Sequence, residues 1–197
     1  MARMLLAPGG NRLPRIRLGL SLVGLWLGAL ASSTCAGRGF FTFPLAGTDA
    51  PWPAGTVPTA LAPPALAGVR VQDQPVFRQQ GIDALDLHGL KVRQVGLVME
   101  APTASPNFAF LRKVRVVAEG EGLPAVDVAA GEQLAAGTNY VGLDVADVDL
   151  TAYARQGAMR FSAVVDAADA PATDTTLRLV LDLEAWVSQP GAACWQK

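Results

Sequence analysis

The side chains best suited to chemistry are few and widely spaced. One histidine, His88, stands in the stretch LDLHGL with Asp86 two positions before it. A carboxylate can orient an imidazole, and an imidazole beside a hydroxyl or thiol can activate a nucleophile. A histidine in a turn ahead of a strand is more often structural or simply exposed, and the sequence contains no Gly-x-Ser-x-Gly elbow. Asp182 and Glu184 fall on one face of a strand-like run. Strand rise puts such a pair roughly 7 Å apart, a separation compatible with an inverting glycoside hydrolase. Charges on the outward face of an amphipathic strand are nevertheless the ordinary expectation. We assign no catalytic residue and expect a protein that is not an enzyme.

Metal sites are equally sparse. One histidine and two distant cysteines cannot supply a usual zinc site. Calcium has weak candidates in Asp144, Asp147 and Asp149, spaced D-x-x-D-x-D, and in Asp166, Asp169 and Asp174 of a nearby turn. Neither group matches the EF-hand pattern with its glycine and terminal glutamate, and acidic loop residues also serve solubility. No cofactor is expected, and no glycine-rich phosphate loop with its lysine occurs. Trp186, on the polar face of a strand-like run, and Trp195 and Trp52, in flanking segments, could stack on a sugar or fill a partner's pocket. The alternative is that the N-terminal segment or the C-terminal tail covers Trp186.

The N-terminus reads as an address. Residues 1–17 hold four arginines and no acid, and residues 18–31, LGLSLVGLWLGALA, form an uncharged apolar run. A basic start, a short apolar middle and a small-residue end define a secretory signal peptide, here residues 1–34. The run is shorter than the about 20 residues a membrane-spanning helix needs. Cleavage after Ala31, at the A-x-A of Ala29-Leu30-Ala31, would leave Cys35 as a free side chain. The stretch SSTCAG also resembles a bacterial lipobox, with Ser32 and Thr34 where lipoboxes usually carry Leu and Gly or Ala. The resemblance implies cleavage just before Cys35 and a diacylglycerol on its thiol, hence a membrane anchor. Against it stands the second cysteine, Cys194. An exported chain with two cysteines near its two ends invites a disulfide, worth about 4 to 5 kcal/mol for so long a loop.

The elements that must carry these residues read as follows. Residues 35–69 hold Pro44, Pro51, Pro53, Pro58, Pro63 and Pro64 among Gly, Ala and Thr, the composition of a linker. Within it GFFTFPL, 39–45, is too aromatic to leave in water and reads as an edge strand. From residue 90 onward, period-two alternation dominates. Met159, Phe161, Ala163 and Val165 share one face of a strand, as do Leu177, Leu179, Leu181, Leu183, Ala185 and Val187. Shorter strands are expected around Val95–Met99, Phe108–Val116, residues 125–129 and Val141–Val145. Turn-rich stretches separate these runs, so the fold class is mainly β. The expectation is a single antiparallel β-sandwich, Ig-like or jelly-roll-like, over residues 70–190, with a tail at 191–197. One short crossover helix is expected at 149–157, capped by Asp149 and ended by Gly157, with Leu150 and Tyr153 inward. A second helix or loop covers 77–89.

Charge narrows the partners. After the leader, twelve Lys and Arg face seventeen Asp and Glu, a formal net charge of about −5, with no basic cluster beyond RKVR at 112–115. Nucleic acid and anionic lipid surfaces both call for concentrated positive charge, so neither is expected as an electrostatic partner. With 17% charged residues against a usual roughly 25%, and 51% hydrophobic, the chain has the composition of a folded domain. The reading is an exported bacterial cell-envelope protein, a lipoprotein if Cys35 is acylated. Its β domain would be a non-catalytic structural or protein-interaction module. The alternative is a secreted carbohydrate- or small-ligand-binding module closed by a Cys35–Cys194 disulfide.

Overall fold

The computed structural model describes residues 37–189, apart from Pro58, residues 105–106 and residues 135–136. Each run in which apolar and polar residues were read to alternate contains a strand, but the run read from Phe108 becomes strand only at Leu111, after a turn through Ala109 and Phe110. The strands are β1 (Gly37–Ala46), β2 (Ala50–Trp52), β3 (Ala60–Leu61), β4 (Leu87–Ala101), β5 (Leu111–Gly120), β6 (Leu123–Glu132), β7 (Tyr140–Val145), β8 (Met159–Ala167) and β9 (Thr175–Gln189). The expected faces of β8 and β9 are buried: Met159, Phe161 and Ala163 on one, Leu177, Leu179, Leu183, Ala185 and Val187 on the other. In β5 the alternation breaks. Val116, Val117 and Ala118 are all buried where a bulge in β6 places an extra residue, Val128, between the partners of Val116 and Val117.

The strands pair antiparallel in the order β1-β9-β4-β7-β6-β5-β8-β3, with β2 also on β9. This is coarser than the expected sandwich: one curled antiparallel sheet, a half-barrel around one core. The two halves stay hydrogen-bonded because β7 pairs with β4 on one side and β6 on the other. The second join is thin, only Ala129 with Val145 and Ala130 with Asp144.

Three strands of this sheet, β1, β2 and β3, come from the segment read as a linker. β1 forms an edge strand along β9, with Phe43 and Leu45 buried and Phe40 on the opposite face. Leu61, Leu66, Val69 and Val71 are also core residues, and Val69 bridges Met159 through backbone bonds of 2.7 and 2.8 Å. Proline resists the interior of a sheet but not its edge. Pro44 and Pro51 sit in strands paired with β9, while the apolar residues around them find the core. The expected helix or loop near 77–89 is a short helix α1 (Pro75–Gln80) followed by a 3-10 turn into β4. Pro75 stands in its first turn, and Gly81 ends it at φ 63°. Phe77 of α1 is fully buried, its ring 5.4 Å from Phe43 and 6.1 Å from Phe41.

The crossover helix is α2 (Thr151–Gln156), joining β7 to β8, with Gly157 at its end. Leu150 and Tyr153 point inward as expected. The N-cap position is Leu150 rather than the expected Asp149, which acts one residue earlier, where its Oδ1 accepts from Thr151 N at 2.9 Å. Leu150 N donates to Leu90 O at 2.7 Å, and Arg155 donates to Leu87 O, both in β4. On the other side Tyr153 Oη donates to Pro124 O of β6 at 2.7 Å. The helix therefore clasps the two halves of the sheet.

Because Phe77 carries the inner face of β1, Phe77→Ala should lower unfolding stability by about 3 to 5 kcal/mol, read from the urea midpoint. A loss under about 1 kcal/mol would mean that α1 is not packed against β1 as described.

Candidate functional site

The outer face of β1, β9 and β4 carries the most distinctive surface. Phe40 and Trp186 are direct cross-strand partners, their rings 5.7 Å apart and inclined at 62°. Phe40 is 54% exposed, while Trp186 is half-buried. On its other side Trp186 lies over Gly89, its register partner on β4, where a Cβ would fall 2.8 Å from Trp186 Cε3. A glycine inside a strand marks such a close approach. A bulge between Leu87 and Gly89 leaves His88 outside the pairing, exposed, with Nε2 against Ser188 Oγ.

A depression of about 410 Å³ opens beside the tryptophan, lined by His88, Gly89, Lys91, Asp149, Trp186 and Val187. Its charged groups are engaged with neighbours. Lys91 binds Asp147, and that hydrogen bond and charge raise its pKa against a small opposing effect of burial, with Asp149 and Glu184 adding to the rise. Burial pushes Asp149 upward. Hydrogen bonds from Thr151 Oγ1 and N, a longer one from Leu90 N at 3.4 Å, and the charge of Lys91 outweigh it, so the carboxyl is held below its ordinary value.

The other expected residues scatter. Asp144 is exposed on β7, and Asp166 approaches Arg112 at 3.9 Å. Asp169 lines a separate groove of about 600 Å³ between the β4–β5 and β8–β9 connections. Asp174 accepts from Ala54 N at 2.9 Å. Among the described residues no three His, Cys, Asp or Glu side chains come together as a metal site. Trp52 stands edge-on to Phe110 at 6.2 Å, on a different strand from the Phe40–Trp186 pair. Asp182 and Glu184 both lie on the outward, half-buried side of β9. Asp86 Oδ2 accepts from Asp83 N at 3.1 Å in a capping box, which is where that carboxylate is engaged. Cys35, Cys194 and Trp195, and both cleavage positions, lie outside the described residues. Among the described residues no helix is long and apolar enough to cross a membrane.

Sequence reasoning missed Phe40, Gly89, Lys91 and Ser188 as neighbours of Trp186. Period-two alternation through GFFTFPL would have set Phe40 opposite Phe41 and Phe43, and a glycine two residues before Lys91 was a sign of close approach. Register between strands far apart in sequence left no signal.

No family model matches the chain, and no curated protein matches it. Among solved structures, a chain of the cryo-EM structure of Mud Crab Dicistrovirus aligns over 100% of this chain and 96% of that one, at 11% identity and a TM-score of 0.23. So loose a likeness carries nothing about fold or function.

The Asp149 contacts set a pH dependence. A carboxyl lowered from 3.8 on folding contributes stability that is present above that value and lost as pH falls through the lower folded value. Asp149→Ala should cost about 1 kcal/mol at pH 7, as for a lost helix cap. Urea unfolding repeated below about pH 3 should show a narrower gap between variant and parent. A gap that widens in acid would contradict the assigned hydrogen bonds.

Proposed function

We propose that this chain is an exported cell-envelope protein whose β domain recognises another envelope protein without chemistry. The leader supports the address. Both fates open to Cys35, acylation and disulfide formation, belong outside the cytoplasm. In this reading the half-barrel is a distorted sandwich, with β1, β2, β9, β4 and β7 facing β6, β5, β8 and β3 across the core.

The observation that carries the recognition reading is Phe40 beside Trp186 on β1, an edge strand with no partner on its outer side among the described residues. An edge strand accepts an added strand through its backbone, and neighbouring aromatics supply the energetic anchor. Nearby polar groups are taken up by one another: His88 by Ser188, Lys91 by Asp147, Asp149 by Thr151. That arrangement favours apolar and backbone contact over a pocket of free donors for sugar hydroxyls. The engagement of Asp86 with Asp83 supports a non-catalytic His88.

A photo-crosslinking residue at Phe40, in protein expressed with its own leader, should give a discrete adduct with an envelope protein. The same residue at Val164, 41% exposed on β8, should give none. Equal labelling at both positions would sink the assignment. Glycan binding that is lost in Trp186→Ala, with no protein adduct, would replace it with the carbohydrate-binding reading.

A further inference from the structure

Gly47 N donates to Leu179 O of β9 at 2.8 Å, and the β1–β9 register runs unbroken up to that bond, with Ala46 opposite Val180. In an antiparallel ladder the backbone groups of successive residues turn to opposite sides. The odd positions of β1 therefore pair with β9, and the backbone groups of Arg38, Phe40, Thr42 and Pro44 turn to the open edge. Proline at position 44 agrees with this, since an outward position lacks an N–H without loss to the ladder. Among the described residues nothing pairs with this edge. Edge strands are usually blunted by bulges or several charges, whereas β1 runs without a bulge and has one charged residue, Arg38. Its one obstacle is the ring of Pro44, which bars an added strand from pairing past it and leaves residues 38–42 as the free run.

We infer that this edge pairs with the same edge of a second copy of the chain, antiparallel about a twofold axis at Phe40. The inference rests on the reading that β1 accepts an added strand, and it names the partner. A five-residue run that pairs with itself is centred on its middle residue. Phe40 then exchanges both backbone bonds with Phe40 of the copy, and position 38 does the same with Thr42 of the copy, twice by symmetry. The side chains are complementary about the same centre. On the outer face, Phe40 meets Phe40 of the copy and extends the Phe40–Trp186 pair into a row of four aromatic rings. On the inner face, Phe41 stands opposite Gly39 of the copy, which has no side chain to exclude it, the relation Gly89 has to Trp186. Charge agrees as well. The register sets Arg38 opposite Thr42 of the copy, whose own partner on β9 is Glu184, so unlike charges share that row and the two arginines stand apart. Five residues on each edge are far fewer than the about 20 to 30 a side of a standard interface, so the dimer is weak and reversible.

The test uses the purified full chain carrying a photo-crosslinking residue at Phe40. The expected product is an adduct of twice the chain mass, its yield rising with protein concentration, in which tryptic peptide 39–70 is joined to a second peptide 39–70 within residues 39–42. Thr42→Pro removes an outward N–H and spares the β9 ladder, as Pro44 does. It should keep the parent's far-UV circular dichroism and weaken dimerisation about tenfold or more. Thr42→Val keeps the N–H and should dimerise as the parent does. A doubled adduct attached elsewhere on the copy, or undiminished dimerisation by a folded Thr42→Pro, would overturn the twofold edge pairing. Should Thr42→Pro unfold, the attachment site in the parent decides alone. If the purified chain gives no doubled adduct while the same probe in cells joins a different envelope protein, the dimer fails and the recognition reading stands. If neither adduct forms, both fail.

Discussion

Between β6 and β7 the sheet is held by two residue pairs, and everything on its two sides depends on that narrow join being reinforced. A sheet cannot curl around one core if its halves separate where hydrogen bonding is thinnest. The reinforcement comes from α2. Leu150 and Arg155 bond to the β4 backbone, and Tyr153 bonds to Pro124 in β6. Each bond alone is worth about 1 kcal/mol, but together they fix a helix whose buried Leu150, Tyr153 and Ala154 close the end of the core. Gly120 of β5 lies so near that a Cβ there would stand 3.0 Å from the Tyr153 ring.

The same economy governs the outer face. Trp186 over Gly89 and Tyr140 over Gly96 are two cases of an aromatic ring covering a glycine on a neighbouring strand. Tyr140 is fixed by Gln94, which donates to its hydroxyl at 2.7 Å. Trp186 instead shares its surface with Phe40, which remains more than half exposed. The difference separates a ring that completes the sheet from a pair that offers apolar area to a partner. Salt bridges elsewhere, such as Arg115 with Asp127 at 3.0 Å and Arg178 with Glu100 at 3.0 Å, are partly solvent-exposed pairs of small energetic weight.

The linker reading of residues 35–69 went astray for a physical reason. Proline and glycine content describes how a segment resists forming its own hydrogen-bonded structure. It does not register that β9 already presents a template, against which Phe41, Phe43 and Leu45 find a core supplied by α1. Aromatic density in GFFTFPL was the local trace of that docking, and it marked the edge strand correctly while the flanking composition pointed the other way.

What the sequence determined by itself was therefore local and periodic. The faces of β8 and β9, the end of α2 at Gly157 and the mainly β class follow from side-chain alternation, because burial on one face leaves a period of two in the chain. Pairing belongs to the tertiary structure. That β1 returns to β9, that the sheet curls as one path, and that Phe40, Gly89 and Trp186 share a surface depend on register between segments roughly 50 to 150 residues apart. No single stretch of sequence encodes a register of that kind. It is chosen when the buried faces of distant strands meet around a common core.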